Sequence, residues 1–269
     1  APTNARTFVI LRLLGVLAGV LAKATHGRMP ADQETIRYTG VYGEDGRGPY
    51  LMREVLGGGS GGRYYADGED TIHVVPDSRN IPAEFAEARW PFIVERLGLA
   101  ADSGGPGEYR GGLGYDKHIR MLRDAHYMSI ADRSILSCWG VSGGRAGRPF
   151  RVEIDGEEMD GLVDDRPVRE GQVIRIRTTG GGGWGDPLNR APSRVADDVR
   201  DGKVSPEGAH DDYGVVLTDG AVDVEATETL RARQRAERGP LPFFDRGPGY
   251  PTLSGGQPSA EVDTLDDAP

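Results

Sequence analysis

Hydrophobic residues follow three different patterns along the chain. Residues 8–24, FVILRLLGVLAGVLAKA, form one long apolar run. From about residue 35 to residue 178, short stretches of alternating apolar and polar residues are separated by glycine-rich turns, which is typical of β-strands. Beyond residue 187, helix-start residues and helical spacing return. The pattern predicts an α+β protein with a β-rich core, an N-terminal apolar helix and short C-terminal helices.

The apolar run at 8–24 is predicted to be a buried helix. Small residues, among them Gly15 and Gly19, recur in it at three- and four-residue spacings, which favours close packing against another helix. A membrane span needs about 20 apolar residues, and Arg12 interrupts this run. A signal peptide is the rival interpretation, because Arg6 and the alanine-rich end resemble its basic start and its cleavage site.

The remaining elements are predicted from local signals. Alternating apolar residues indicate strands, a proline at a first helical position indicates a helix start, and Asp219-Gly220 between two alternating stretches indicates a hairpin. The predicted strands are 35–42, 50–56, 71–75, 90–100, 115–122, 126–132, 148–154 and 172–178, and the predicted helices are 83–89, 192–201, 205–212 and 226–238.

Two regions are separated by composition. Residues 1–238 are predicted to form one domain. Residues 239–269 are rich in glycine and proline and end in acidic residues, so they offer too little apolar surface to fold alone. This tail is expected to be disordered or to lie on a partner subunit.

Composition excludes several classes of protein. The chain has 32 basic and 42 acidic residues, a formal net charge of −10, which argues against a partner that is a nucleic acid or an anionic membrane. A single cysteine, Cys138, excludes a disulfide framework and favours a reducing, cytoplasmic setting. Glycine accounts for 41 of 269 residues, roughly twice the usual share of about 7%.

Two glycine blocks raise the question of a phosphate-binding loop. GGGSGG at 57–62 lacks the lysine of a Walker loop and is not followed by a helical pattern. We expect a tight turn where two backbones approach closely, with positive φ at several positions; an anion-binding nest facing a shared active site is the alternative. GGGGWGDP at 180–187 is expected to be a turn after a strand with Trp184 as a packing plug, or a backbone exposed at a subunit interface.

Candidate chemistry is concentrated at the end of the strand predicted at 71–75. Polar residues at the C-terminal end of a strand frequently form binding sites. The residues here are of the types that act as a general base or bind a carboxylate. The structural alternative makes Asp77 and Asn80 turn formers and pairs Arg79 with Glu84. The candidate catalytic residues are His73, Asp77, Arg79, Asn80 and Glu84.

No metal site is predicted within this chain. The five histidines are scattered without the spacing of metal ligands. His118 and His126 lie on neighbouring predicted strands and could meet, but surface or core roles are favoured for both. Cys138 has no identified base and is expected to be a buried small apolar residue rather than a nucleophile.

Six segments, taken in order, resemble one family, the B-type subunits of hydantoinases and oxoprolinases. The resemblance covers about residues 50–238, and the order of the blocks makes it specific. The apolar helix at 8–24 is similar to the helix that precedes the family's first glycine block. The segments are GGGSGGRYYADGED, DSRNIPAE, DSGGPGEYRGGLG, WGVSGGRAGRP, TTGGGGWGDPLNR and VADDVRDGKVSPEGAHDDYGVVL.

The resemblance implies a subunit rather than a complete enzyme. B-type subunits are about twice this length, and this chain is similar to their C-terminal half, as in a small subunit of an acetophenone-carboxylase-type complex. An A-type partner would bind ATP, another chain would supply the N-terminal B-type half, and a divalent metal such as Mg, Mn or Zn would lie in a partner. The implied reaction is carboxylation of a ketone with bicarbonate; the alternatives are opening of a hydantoin or oxoproline ring, and a purely structural subunit.

The candidate site departs from the family pattern in one respect. Relatives often have a histidine-rich stretch before the Arg-Asn-x-Pro-x-Glu motif, whereas here only His73 remains. Arg79, Asn80, Pro82 and Glu84 match the motif itself.

Overall fold

Two antiparallel sheets form the centre of the molecule, as seen in a computed structural model that describes residues 6–33, 37–73 and 79–255. The α+β class is confirmed, with an N-terminal helix and short C-terminal helices. The helices are α1 Arg6–Ala24, α2 Ala83–Arg89, α3 Pro192–Arg200, α4 Pro206–Asp211, α5 Val224–Glu237 and α6 Gly249–Leu253. The strands are β1 Arg37–Asp45, β2 Gly48–Val55, β3 Phe92–Leu99, β4 Tyr115–Met121, β5 Ala125–Ala131, β6 Gly140–Val141, β7 Arg151–Ile154, β8 Glu157–Met159, β9 Leu162–Val168, β10 Val173–Arg177, β11 Leu217–Thr218, β12 Ala221–Val222 and β13 Phe244–Asp245.

The two large sheets share one hydrophobic core. The first sheet has the order β2-β1-β5-β9 and the second the order β3-β4-β10-β7-β8. In the second sheet, Ile174 of β10 pairs with Ile119 on one side and Ile154 on the other. All three side chains are buried, together with Val41 and Tyr127 of the first sheet. Alternation along the strands therefore places one apolar face of each sheet in a common core.

Most of the predicted elements are observed, with shifts of a few residues at their ends. The hairpin at Asp219-Gly220 is formed by β11 and β12. The strand predicted at 71–75 is reduced, in the part that is described, to one bridge between Ile72 and Gly58. The prediction missed β6, β8, β9 and β13, which are two to seven residues long and in part polar.

Glycine-rich segments form a second structural unit beside the sheets, which we call the glycine layer: residues 58–62, 104–112, 140–147 and 180–183. The segment 180–183 lies at its centre. Its backbone N–H groups donate in turn to the carbonyl oxygens of Arg148, Gly112, Asp32 and Arg145, at 2.8–3.2 Å. Its carbonyls from 181 to 183 accept from Gly105, Gly62 and Val141 at 2.8–3.0 Å. Successive residues thus bond to different neighbouring segments, which satisfies a buried backbone without a regular sheet.

The absence of a side chain makes this arrangement possible. A Cβ added at Gly180, Gly181, Gly182 or Gly183 would lie closer than 3.0 Å to a backbone atom of another segment. The same holds for Gly59, Gly105 and Gly112. Backbone atoms of buried segments cannot move aside as a flexible side chain can. The high glycine content is therefore a packing requirement.

The expectations for the two glycine blocks are partly wrong. The backbones at 57–62 approach others closely, as predicted, but no glycine there has a positive φ and the segment is extended rather than a tight turn. Residues 180–183 are buried and form no turn, so the expected exposed backbone is wrong; a bend with positive φ follows at Gly185. Trp184 does act as a packing residue: its indole N–H donates to the Gly27 carbonyl at 2.6 Å, and its ring lies against Tyr109.

Charged residues of the sequence motifs pair with one another and attach the C-terminal helices to the glycine layer. Arg190, with a side chain only 1% exposed, binds Asp67 at 2.7 Å and Asp198 of α3 at 2.7 Å. Arg110 binds Asp70 at 3.2 Å. Burial alone would raise the pKa of Asp67, but the charge of Arg190 outweighs it and holds that pKa below its usual value. These residues have a structural role.

Helix α1 forms as predicted, but the prediction that it is buried is wrong for the described chain. Of its side chains from residue 9 onward, Leu11 and Ala22 are buried, while eight large apolar side chains are exposed. Its small residues contact loops instead of another helix, since Gly15 faces Asp32 and Gly19 faces the Trp139 ring. Among the described residues, no helix combines the length and the apolar content that a bilayer crossing requires.

Residues 240–255, which the sequence groups with the tail, contact the body of the same chain. Phe243 is buried, and β13 pairs with β6 through Phe244–Val141 and Asp245–Gly140. Residues 256–269 lie outside the described residues. The division into a domain at 1–238 and a tail stays a prediction.

Replacing Gly181 by alanine tests the glycine layer. The new methyl group would meet the Ser60 backbone, which is held by other segments. Overpacking typically costs 1–3 kcal/mol, and because no flexible group can yield here we expect a loss of at least about 3 kcal/mol in the free energy of unfolding. Gly46→Ala, at a position where a Cβ would meet nothing within 4 Å, is the matched control. Equal urea midpoints for the two variants would contradict this account of the layer.

Candidate functional site

A polar cluster of four buried and two half-buried residues lies where the two sheets meet, beside the glycine layer. Its residues come from β1, β2 and β4, from the chain before α2 and from the segment that follows β10. His73 is placed there because it follows Ile72, whose backbone pairs with Gly58 at 2.7 and 3.1 Å. The members of this cluster are Arg37, Glu54, His73, Asn80, Lys117 and Thr179.

Glu54 and Lys117 form an ion pair inside the protein. The Glu54 side chain is 2% exposed and the Lys117 side chain 5% exposed, and the ammonium group donates to Glu54 Oε2. Glu54 Oε1 accepts from the backbone N–H of Ile81 at 2.9 Å. Glu54 therefore holds the segment that carries Asn80 against the first sheet, while Lys117 supplies the charge that makes a buried carboxylate tolerable.

His73 is held in its neutral form. Burial lowers the pKa of His73 below its usual value of 6.5. The contact with Asn80 opposes this, the positive charge of Arg37 lowers the pKa further, and the charge of Glu54 raises it by less. Both ring nitrogens are shielded from solvent and lack a hydrogen bond of normal geometry among the described residues, and so does Asn80 Oδ1. A neutral imidazole with unpartnered nitrogens is suited to accept a proton.

Arg37 links this cluster to the glycine layer. Its side chain is fully buried in β1 and donates to Thr179 Oγ1. The Thr179 carbonyl in turn accepts from the N–H of Gly59 at 3.0 Å. The position of the cation near His73 is thereby fixed by the layer that the glycines form.

The structure brings together only part of the predicted site. His73 and Asn80 belong to the cluster. Arg79 and Glu84 are exposed, and no ion pair or hydrogen bond joins them to each other or to another described residue, so the alternative that pairs Arg79 with Glu84 is wrong. Asp77 lies outside the described residues. A catalytic role for the five predicted residues stays a prediction.

Sequence reasoning missed Arg37, Glu54 and Lys117. Each is a single charged residue within a predicted strand, where the alternating pattern suggests an exposed side chain. The sequence did offer one signal for Lys117. Only three of the 32 basic residues are lysines, and one of these three lies within a strand.

Other candidate chemistry is not assembled in the described part of the chain. His118 and His126 lie in different sheets and contact Asp116 and Asp165, at 3.1 and 2.6 Å. Burial raises the pKa of Cys138 to about 12, so this thiol is inert, as predicted. Among residues 6–33, 37–73 and 79–255, no three His, Cys, Asp or Glu side chains converge to hold a metal ion. The metal that the resemblance implies is expected in a partner subunit, and this chain's described residues do not test that expectation.

Comparison with known proteins identifies the family. The model of the hydantoinase B/oxoprolinase family matches residues 1–187, and the chain belongs to this family. It is 30% identical over 239 residues to the B-type subunit of the putative D-/L-hydantoinase of Pseudomonas sp. (strain NS671), an alignment that covers 86% of this chain and 40% of that protein. The chain thus spans about two fifths of the length of this relative.

Two solved structures share the fold. The ATP-dependent caprolactamase from Pseudomonas jessenii superimposes with a TM-score of 0.69 and 26% identity, over 79% of this chain and 40% of the other. A nucleotide-free acetone carboxylase, described as part of ATP-dependent acetone carboxylation, gives the same TM-score at 22% identity, over 79% and 35%. This second likeness concerns the fold.

The buried ion pair is tested by replacing Lys117 with methionine. Removing one partner leaves the Glu54 carboxylate buried without a counter-charge, which typically costs 3–5 kcal/mol; we expect a loss of about 3 kcal/mol in the free energy of unfolding. The double variant Glu54→Gln/Lys117→Met should recover part of that loss. Urea unfolding measures both variants. The control is Arg200→Met. The exposed pair of Arg200 with Asp197 should contribute about 1 kcal/mol or less to the free energy of unfolding. A similar loss in Lys117→Met and Arg200→Met would contradict a buried pair.

The protonation state of His73 is tested by titration. NMR of the imidazole resonances, assigned with a His73→Gln variant, should give a midpoint below 6.5 for His73 in the folded chain. Because the unfolded chain then binds more protons than the folded one, stability should fall as the pH decreases from 6.5 through the folded pKa. A midpoint above 6.5 would contradict the burial of a neutral ring.

Proposed function

We propose that this chain is a component of a cytoplasmic, hetero-oligomeric, ATP-dependent enzyme that carboxylates a ketone with bicarbonate. The observation that carries the proposal is the His73 ring, whose nitrogens are shielded from solvent and whose pKa is lowered by burial and by the charge of the buried Arg37. Family membership supports the hetero-oligomer, since the related proteins are named as subunits.

The chemistry of ketone carboxylation requires what this cluster offers. A base must remove a proton from the carbon next to the carbonyl group, and the electron pair passes to the carbonyl oxygen to give an enolate. His73 would accept that proton, while the positive charge of Arg37 would favour the negative enolate. Asn80 would act as a positioning residue for the ring. ATP would be bound by an A-type partner subunit, and a divalent metal would lie in a partner subunit.

Opening of a cyclic amide is the second candidate reaction. It is favoured by the likeness to caprolactamase, whose identity of 26% exceeds that of the acetone carboxylase. In this reaction His73 would take a proton from the attacking water. The same cluster is compatible with both reactions, because each needs a neutral base in a site that excludes bulk water.

A purely structural role is the third candidate. The observations that favour it are the pairing of Arg110 and Arg190 with aspartates of the same chain and the exposure of Arg79 and Glu84 away from the cluster. In that case the reacting groups would all come from partner subunits.

Turnover by the assembled complex distinguishes the two reactions. ATP hydrolysis that depends on both bicarbonate and a ketone, measured with acetone and acetophenone, supports the carboxylase. Ring opening of hydantoin, 5-oxoproline or caprolactam with ATP but without bicarbonate supports the amidase and overturns the carboxylase.

Replacing His73 tests whether this chain contributes to the chemistry. Loss of a general base typically costs a factor of 10²–10⁴, so His73→Gln should lower kcat by at least about 100-fold in a complex of unchanged native mass. His210→Gln, at an exposed histidine of α4, is the matched control and should leave kcat unchanged. Full activity of an intact His73→Gln complex would favour the structural role.

The pH profile provides an independent readout. The base must be neutral, so kcat/KM should fall as the pH decreases through the folded pKa of His73, which lies below 6.5. Because Asn80 raises that pKa, Asn80→Ala should move the acidic limb to lower pH. An acidic limb that is unchanged in both His73→Gln and Asn80→Ala would exclude His73 as its origin.

A further inference from the structure

One side of α1 is apolar and has nothing packed on it in the described chain. We call this surface the outer face of α1. Its eight side chains are each 46–65% exposed, although leucine, isoleucine and valine are usually buried. The outer face consists of Val9, Ile10, Leu13, Leu14, Val16, Leu17, Val20 and Leu21.

The size of the outer face is that of a protein interface. Its eight side chains expose on the order of 700 Å² of apolar surface, more than the ~300–600 Å² of the largest apolar patch on a typical monomer. It is close to the ~800 Å² that each partner buries in a stable complex.

A cavity of about 590 Å³ continues the outer face towards the body of the protein. Its walls are apolar, with Val16 and Val20 on one side and Trp139 and Phe244 on the other. Four cationic side chains also line it. Arg12 is paired with Asp132 at 2.9 Å and Arg133 with Asp32, whereas Arg246 makes no ion pair among the described residues and lies over the Tyr250 ring at 4.9 Å. The surface therefore fits an apolar segment with a carboxylate placed to meet Arg246.

We propose that the outer face of α1 binds a partner subunit that supplies the part of the hydantoinase B family that this chain does not match. Helix α1 lies within the matched family region at 1–187, yet the chain spans only 40% of the related hydantoinase polypeptide. The remaining three fifths of such a protein is large enough to cover the helix. The inference rests on the proposed role as a subunit and not on the reaction.

Two other occupants fit less well. A helix lying on a lipid surface needs a strongly charged side, and between residues 9 and 24 the helix has only Arg12 and Lys23 as charged residues. A second copy of this chain would bring together two molecules that each carry a formal net charge of −10.

Photo-crosslinking in the native complex tests the proposal. The chain, tagged and produced in its source organism, would carry benzoylphenylalanine at Leu17 or Val20, with Leu162 of β9, 70% exposed, as the control position. We expect both α1 positions to crosslink to partner-subunit peptides of the family region outside the part matched here. Crosslinks to another copy of this chain, to its residues 256–269 or to an A-type polypeptide would overturn the proposal, and so would their absence in an active complex.

A charge-insertion variant gives a second, independent readout. Leu13→Glu/Leu17→Glu places carboxylates on side chains that are 56% and 58% exposed, so the fold should persist by circular dichroism. We expect recovery of the partner polypeptide with the tagged chain to fall at least tenfold, whereas Leu162→Glu should leave it unchanged. Undiminished recovery with the double variant would overturn the proposal. Since recovery is measured without turnover, an error in the assigned reaction would not affect the result.

Discussion

The close contact of glycine backbones around residues 180–183 is the constraint on which the rest of the structure depends. Neighbouring residues of this segment bond to different stretches of chain, and at each position a side chain would collide with backbone. Strand β10 runs directly into the segment, and β4 begins just after the glycines at 111–114. The layer therefore sets where two central strands start and end, and through them the position of the shared core.

Local structure could be predicted from sequence, and the glycine layer could not. Strands such as β4 and β10, and helices such as α3 with its proline at the first turn, follow from spacing within a short window. The layer depends on contacts between residues such as Gly59, Gly112 and Gly181, which are far apart in the chain. Extended glycine segments also leave no periodic signal, which is why positive φ and turns were expected in their place.

The candidate site was predicted in part for the same reason. His73 and Asn80 were found because they lie in one short polar stretch after a strand. Glu54 and Lys117 are 63 residues apart, and each lies singly in a strand whose pattern suggests a surface position. A buried ion pair across two sheets is a property of the tertiary arrangement, so no local pattern reports it. The prediction for α1 failed for a different reason. Its apolar residues predicted a buried helix, but the described chain provides little that packs on its outer face.

The buried arginines of this chain fall into two groups that have different roles. Arg190 and Arg110 pair with aspartates of this chain, and both contact Asp198 of α3. Their charges therefore stabilise the attachment of α3. Arg37 donates to the hydroxyl of Thr179, and its charge also lowers the pKa of His73. The layer fixes Thr179 through Gly59, and Thr179 fixes Arg37. A rigid frame of backbone contacts thus fixes a buried cation whose charge lowers the pKa of His73. In the proposed reaction His73 would remove the proton and the charge of Arg37 would favour the resulting anion.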